Sequence, residues 1–288
     1  MASIFPIQDA IRQIAGDDAQ VDCLLPPGIS PHGFELKAEQ ADLLAGSQLL
    51  VMVGLGVDEW ADRAVKALPG LTVLKLGDDA QIKKSLLTSE EGEDEGHDAH
   101  GDPDGADHHS GMDPHIWLDP VIMQRCAALI ADALIELDPS HRDGYLKRRD
   151  AFVAMLKGID EDYRKALGPL KGREFVTYHA AFTYIAHRYG VVQVPLTDTQ
   201  ALEPGSGRIE KVLDLLKRHK ASAIYVEPQF DKRRLEQWAD EYKIAVKVLD
   251  PEGNPRIGGY DSYEAMMRSN LRNLVEGLAS SATAAAKE

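Results

Sequence analysis

The chain is 288 residues long, 44% apolar and 27% charged, with a formal net charge of −15; it can bury one large core or two ordinary ones, and at about 150 residues per domain two is the better fit. Nine of the acids and none of the bases fall between Glu90 and His109, so the remainder carries only −6. An acidic surface without a Lys/Arg cluster argues against nucleic acid or anionic membrane as a partner, and no apolar run approaches the roughly 18 residues of a membrane span.

Taken in chain order, short β-branched or apolar runs alternate with helical patterns. SIF, VDCLL, LLVMV and LTVLKL read as four strands before residue 80, and EFVTY, VVQVP, SAIYV and AVKVLD as four more after residue 173. Such alternation predicts an α/β fold with two four-stranded parallel sheets and covering helices. Between them, DPVIMQRCAALIADALIELDP reads as a helix stopped by Pro139. The next stretch, Pro139 to Gly168, predicts a helix near 28 residues long, with Ser140 as N-cap and Tyr145, Phe152, Met155, Leu156, Ile159 and Tyr163 at helical spacing. At 1.5 Å per residue it would reach about 40 Å, a rigid spine joining the two halves. The expected organisation is an N-terminal lobe over 1–138, with a His/Asp/Glu-rich loop at about 88–112, a spine over 139–168 and a C-terminal lobe over 169–288. The cleft between lobes is the expected binding site.

The loop itself, EEGEDEGHDAHGDPDGADHH, combines nine carboxylates with His97, His100, His108, His109 and four glycines. Too apolar-poor to offset its ordering entropy, it is expected to be mobile, and its imidazoles and carboxylates suit auxiliary capture of Zn²⁺ or a neighbouring first-row ion. A plain solvated acidic linker is the simpler reading of a charge run taken alone. Cys23 and Cys126 permit at most one disulfide, fit no CxxC knuckle, and are read as buried structural thiols. Met1 is not followed by a basic region and apolar core, so the chain is expected either to be cytoplasmic or to have lost a signal segment.

Parallel α/β sheets bind ligands beyond the carboxyl ends of their strands. His32 in LLPPGISPHGFEL follows the second strand, His179 in EFVTYHAAF follows the fifth, and Asp250 in AVKVLDPEG ends the eighth. His115 in MDPHIWLDP stands where the loop rejoins structure, between a proline and an apolar Ile-Trp-Leu anchor, a fixed presentation that suits coordination. A lone strand-end histidine is more often a hydrogen-bonded structural residue, and an Asp before Pro more often a turn or cap. Four such positions in two facing halves make a stronger case. His141, His187 and His219 lie in helical or basic patterns and are read as structural or surface.

SIFPIQDAIRQIAG, LLPPGISPHGFEL, the acidic His-rich insertion followed by DPHIWLDP, VTYHAAFTYIAHRYG and YVEPQFDKRRLEQWADEYKIAVKVLDPEG together resemble the zinc and manganese solute-binding proteins of ABC importers, the cluster A-I family. The resemblance runs over nearly the whole chain. It implies two α/β lobes on a rigid helix, a metal held between them by His32, His115, His179 and Asp250, and a periplasmic or cell-envelope location. It further implies delivery to an ABC permease, with a periplasmic metallochaperone as a second partner. We expect a monomer. Manganese-using members resemble this chain but tend to carry a carboxylate where His179 stands; three imidazoles and one carboxylate suit tetrahedral Zn²⁺, so Zn(II) is the expected ligand. Pro31 occupies the place where some zinc-uptake members have Glu, which favours Asp250 as fourth ligand.

The alternatives are a manganese-specific receptor of the same family, a zinc metallochaperone or buffer working through the loop, and a zinc hydrolase. For the hydrolase, Glu203 and Glu227 are conceivable general bases. No HExxH-like spacing accompanies them, and four protein ligands would close the coordination position that catalytic zinc keeps open, so no enzymatic activity is expected.

Overall fold

A computed structural model describes residues 1–88, 111–197, 223–228 and 245–285, together with 214, 218 and 233. It is an α/β protein with two parallel sheets. In the N-terminal half β1 (Leu49–Met52) pairs in parallel with β2 (Thr72–Lys75). The two other strands expected there shrink to isolated parallel bridges, Ala2 with Cys23 and Ala2 with Val51. The reason is local. Pro6 opens α1 (Phe5–Ala15) immediately after the bridge, and the segment after Cys23 runs into Pro26 and Pro27, which have no N–H to donate. Backbone bonds from Ala2 N to Asp22 O, Leu24 N to Ala2 O and Ser3 N to Val51 O, all 2.9–3.0 Å, nonetheless keep these two segments beside β1, which in turn pairs with β2.

In the C-terminal half all four expected strands form: β3 (Glu174–His179), β4 (Val192–Thr197), β5 (Ala223–Val226) and β6 (Ala245–Val248). They lie in the order β4-β3-β5-β6, parallel throughout. The crossovers therefore set the carboxyl ends of the strands on one edge.

Smaller helices in the N-terminal half are α2 (Ala38–Ala45), α3 (Asp62–Lys66) and α4 (Ala80–Lys83). Two long helices follow. α5 (Pro120–Leu137) starts with Pro120 at its first turn and Asp119 as N-cap, whose side chain accepts from the Val121 and Ile122 amides. α6 (Arg142–Leu167) is the spine, 26 residues or about 39 Å long. Its start differs from the Ser140 cap expected: residues 139–141 form a 3₁₀ turn, and Asp138 accepts from the Ser140 amide and hydroxyl. Tyr145, Phe152, Leu156, Ile159, Tyr163 and Leu167 are buried along one face, while Met155 is partly buried.

Directional bonds tie α6 to both halves. Near its start Arg148 donates to the carbonyls of Ile14 and Ala15, closing the end of α1 (2.7 and 2.8 Å). Near its end Asp160 accepts from Tyr189 of α7 (Thr183–Tyr189), and Tyr163 donates to Met267 O of α8 (Tyr263–Ala285) at 2.8 Å. No described helix is long and apolar enough to cross a membrane.

Both cysteines are free: Cys126 is buried in α5, and Cys23 is half-buried with its thiol on Ser3 O at 3.6 Å. Burial pushes both thiols up to about 12, so neither offers a thiolate nucleophile.

Candidate metal centre

Three loops or strand ends bring His32, His115 and His179 together. His32 sits in the irregular segment between the Cys23 bridge and α2, where its amide donates to Ser30 Oγ and Gly33 follows at a positive φ of 73°. This backbone suits glycine and turns the chain so that Phe34 packs edge-on against Trp60. His115 precedes the 3₁₀ turn Ile116–Leu118, whose three apolar side chains are buried. Trp117 Nε1 donates to Pro251 O (2.6 Å), and Tyr263 donates to Trp117 O (2.8 Å), so the segment is pinned to the loop after β6 and to α8. His179 is the last residue of β3, which the sequence reading placed one step earlier.

The ring centroids form a nearly equilateral triangle: 5.3 Å from His32 to His115, 5.1 Å from His32 to His179 and 5.0 Å from His115 to His179. One nitrogen from each ring lies within 4.8 Å of the other two. Burial first, then the neighbouring His115 and His179, push the His32 imidazole down to about 2. It is therefore neutral at physiological pH, the state a ligand needs.

Two of the rings are backed by carboxylates. Asp113 Oδ1 accepts from both the amide (2.9 Å) and ring Nδ1 (2.7 Å) of His115, and both side chains are buried. Glu227, just beyond β5, accepts from His179 Nδ1 at 2.6 Å. Sequence reasoning missed Asp113 and considered Glu227 only as a base; DPH gives a weak local hint of the first, whereas the second pair is 48 residues apart in sequence.

Asp250 lies two residues past β6 and is buried. Its Oδ1 accepts from the Glu252 and Gly253 amides, both at 2.9 Å, and its backbone is locked by reciprocal bonds with the Asn270 amide group. Burial, with a contribution from Glu227, raises its carboxyl to about 6. It is not in the group whose ligand atoms lie within 4.8 Å, which holds the three histidines alone. Glu252, which no sequence pattern singled out, is buried nearby, and its Oε2 has no hydrogen-bond partner among the described residues. Burial, then Asp250, Glu227 and Asp58, hold its carboxyl well above the usual range.

His97, His100, His108, His109, His219 and Glu203 lie outside the described residues. His141 is exposed and bonds Asp138, and His187 is exposed on α7, as expected of surface residues.

Fold and centre define a class: an α/β protein of two parallel sheets spanned by a long helix, with histidines from both halves converging beyond the strand ends. The chain belongs to the family described as zinc-uptake complex component A, periplasmic, which it matches over residues 1–277. It is 28% identical over 287 residues to the high-affinity zinc uptake system protein ZnuA of Bacillus subtilis, covering 96% of this chain and 86% of that protein. It is 28% identical over 280 residues to the zinc-binding lipoprotein AdcA of Streptococcus pneumoniae, covering 95% of this chain but about half, 54%, of that relative's length. A crystal structure of ZnuA matches with a TM-score of 0.78 and 26% identity, over 96% of this chain and 97% of that one.

Proposed function

We propose that this chain is a Zn(II) receptor that binds one ion through His32, His115, His179 and Asp250 and delivers it to an ABC importer outside the cytoplasm. The observation that carries the reading is the convergence of three buried or half-buried imidazoles from both halves on one point. Neutral imidazoles are borderline-soft ligands that suit Zn²⁺ over Mn²⁺, and a carboxylate completes a tetrahedron. Asp250 is the proposed fourth ligand because its Oδ2 remains when Oδ1 is held by two amides. The zinc named in ZnuA and AdcA agrees with this donor set. The lobes are taken as 1–138 and 169–288 on either side of the 139–168 spine, with an importer permease as partner, a metallochaperone as a second, and the protein itself a monomer.

Glu227, the described candidate for a hydrolytic base, is engaged with His179 Nδ1, on the side of the ring away from Nε2. This supports a receptor over an enzyme. A chelator-competition titration with Zn²⁺ and Mn²⁺ in one buffer tests the selectivity: we expect one tight zinc per chain with manganese competing poorly, and equal affinities would remove the ground for choosing zinc.

A further inference from the structure

One indole joins two of the proposed ligands across the halves of the chain. Trp117 is fully buried two residues after His115, in the 3₁₀ turn Ile116–Leu118, and its ring centroid lies 5.1 Å from that of His115. Its Nε1 donates to Pro251 O at 2.6 Å, and Pro251 directly follows Asp250. The two groups suit each other: an indole has a donor and no acceptor, a proline a carbonyl and no amide hydrogen. Both residues are buried, so neither group can turn to water if the bond is broken.

This bond is one side of a closed circuit. From Pro251 the chain runs back to Asp250, whose amide and carbonyl bond the Asn270 side chain of α8 at 2.8 and 2.7 Å. Seven residues earlier on the same helix, Tyr263 donates to Trp117 O at 2.8 Å. Two turns separate Asn270 from Tyr263, which puts both on one face of α8, about 10 Å apart along its axis. The Tyr263 amide also donates to Asp9 Oδ2 of α1 at 2.9 Å, which ties this corner to the N-terminal half. Turn, loop and helix thus brace one another. Asp250 is gripped by Asn270 from its own half and, through the next peptide, by Trp117 from the other.

We infer that Trp117 is a positioning residue of the metal centre, whose indole N–H presets the spacing between His115 in one half of the chain and Asp250 in the other. This rests on the zinc-receptor reading with Asp250 as fourth ligand, and adds what holds that carboxylate in register with histidines from elsewhere in the fold. Cutting the link leaves the Asp250 turn gripped by Asn270 alone, and a carboxylate that must first be brought into place binds an ion more weakly. Groups that orient a metal ligand from behind are typically worth ten- to a hundredfold in affinity.

The test is a double-mutant cycle on zinc affinity in the full chain: wild type, W117F, D250N and W117F/D250N, with folding checked by circular dichroism. D250N keeps a side-chain oxygen for the Glu252 and Gly253 amides and removes the charge. We expect W117F to weaken zinc binding ten- to a hundredfold when Asp250 is present and by less than about twofold when it is already replaced. Wild-type affinity in W117F overturns the inference, and so does an equal loss in both backgrounds, which would mean that Trp117 acts on something other than Asp250. Wild-type affinity in D250N is a different failure, since it removes Asp250 from the ligand set and so rejects the reading beneath the inference. A second measurement needs no change at Trp117: hydrogen exchange of its indole N–H, the signal assigned by elimination with W60F and W238F. Slow exchange is expected in the metal-free and zinc-loaded protein alike. Exchange as fast as that of free tryptophan in the metal-free protein would show that the spacing is not preset, and overturns the inference even if W117F fails to fold.

Discussion

At the residue scale, the property of His32 that matters is its burial beside two other imidazoles, which holds its pKa near 2, against about 6.5 in an unfolded chain. Above pH 6.5 the group is neutral in both states and contributes no pH dependence. Below it the unfolded chain takes up a proton that the fold refuses, so metal-free stability is lost as pH falls, by up to about 1.4 kcal/mol per unit. Asp58 and Asp250, both raised to about 6, act in the opposite direction: the fold holds their protons more firmly than the unfolded chain does, so they add stability as pH falls from 6 toward 4. Their contribution is common to the wild type and H32A and drops out of the comparison. In chelator-treated protein, urea denaturation at pH 7.0 and 5.5 should show H32A gaining on the wild type by about 1 kcal/mol. A difference that does not change with pH would show that His32 is not kept neutral by its surroundings.

The converging histidines were legible in the sequence because each sits in a short motif with its own local constraint, a proline before His32 and His115 and a strand end at His179. Their carboxylate partners and Glu252 were not. A hydrogen bond between Glu227 and His179 depends on β3 and β5 lying side by side, and no spacing rule anticipates which oxygen a given ring will meet. Asp250 was legible as a strand-end acid, but its capture by the Glu252 and Gly253 amides follows from a turn whose glycine has φ 69° and would press a Cβ to 3.0 Å from the Phe5 ring.

At the element scale, Asp119 connects three parts of the molecule: it ends the His115 segment, caps α5, and accepts from Arg188 of α7 at 2.7 Å on both oxygens. Removing it leaves two helix-end amides and a partly buried guanidinium unpaired. D119A should lower unfolding free energy by about 3 kcal/mol, within the range for breaking a buried pair, as read by urea denaturation. A loss below about 0.5 kcal/mol, the size expected of an ordinary surface substitution, would mean the cap and ion pair do not hold these helices. Periodicity identified α5 and α6 because long amphipathic patterns leave few alternatives. It overcalled the first two strands of the chain because apolar composition is shared by a strand and by a single bridge, and the prolines that decide between them act through missing amide donors.

At the scale of the whole molecule, the acidic insertion joins the fold at two points that are already neighbours: Thr88 bridges Met112 in antiparallel fashion, and the Asp113 amide donates to Leu87 O. The three converging histidines all lie outside residues 90–109. Deleting that span with a short joining turn should therefore leave one tight zinc site and a cooperative unfolding transition, while weaker additional zinc binding is lost. Zinc stoichiometry and affinity for the two proteins at low and high salt decide this; disappearance of the tight site on deletion would move the ligands into the insertion.

The proposed centre holds one zinc ion jointly through histidines from the two halves of the chain. Its most direct measurement is a competition titration of zinc into the wild type and into the double variant H115A/H179A, which removes one ligand from each half. A single tight site per chain is expected in the wild type and an affinity weaker by orders of magnitude in the double variant, with the fold retained by circular dichroism. One tight zinc per chain surviving in the folded double variant would contradict it.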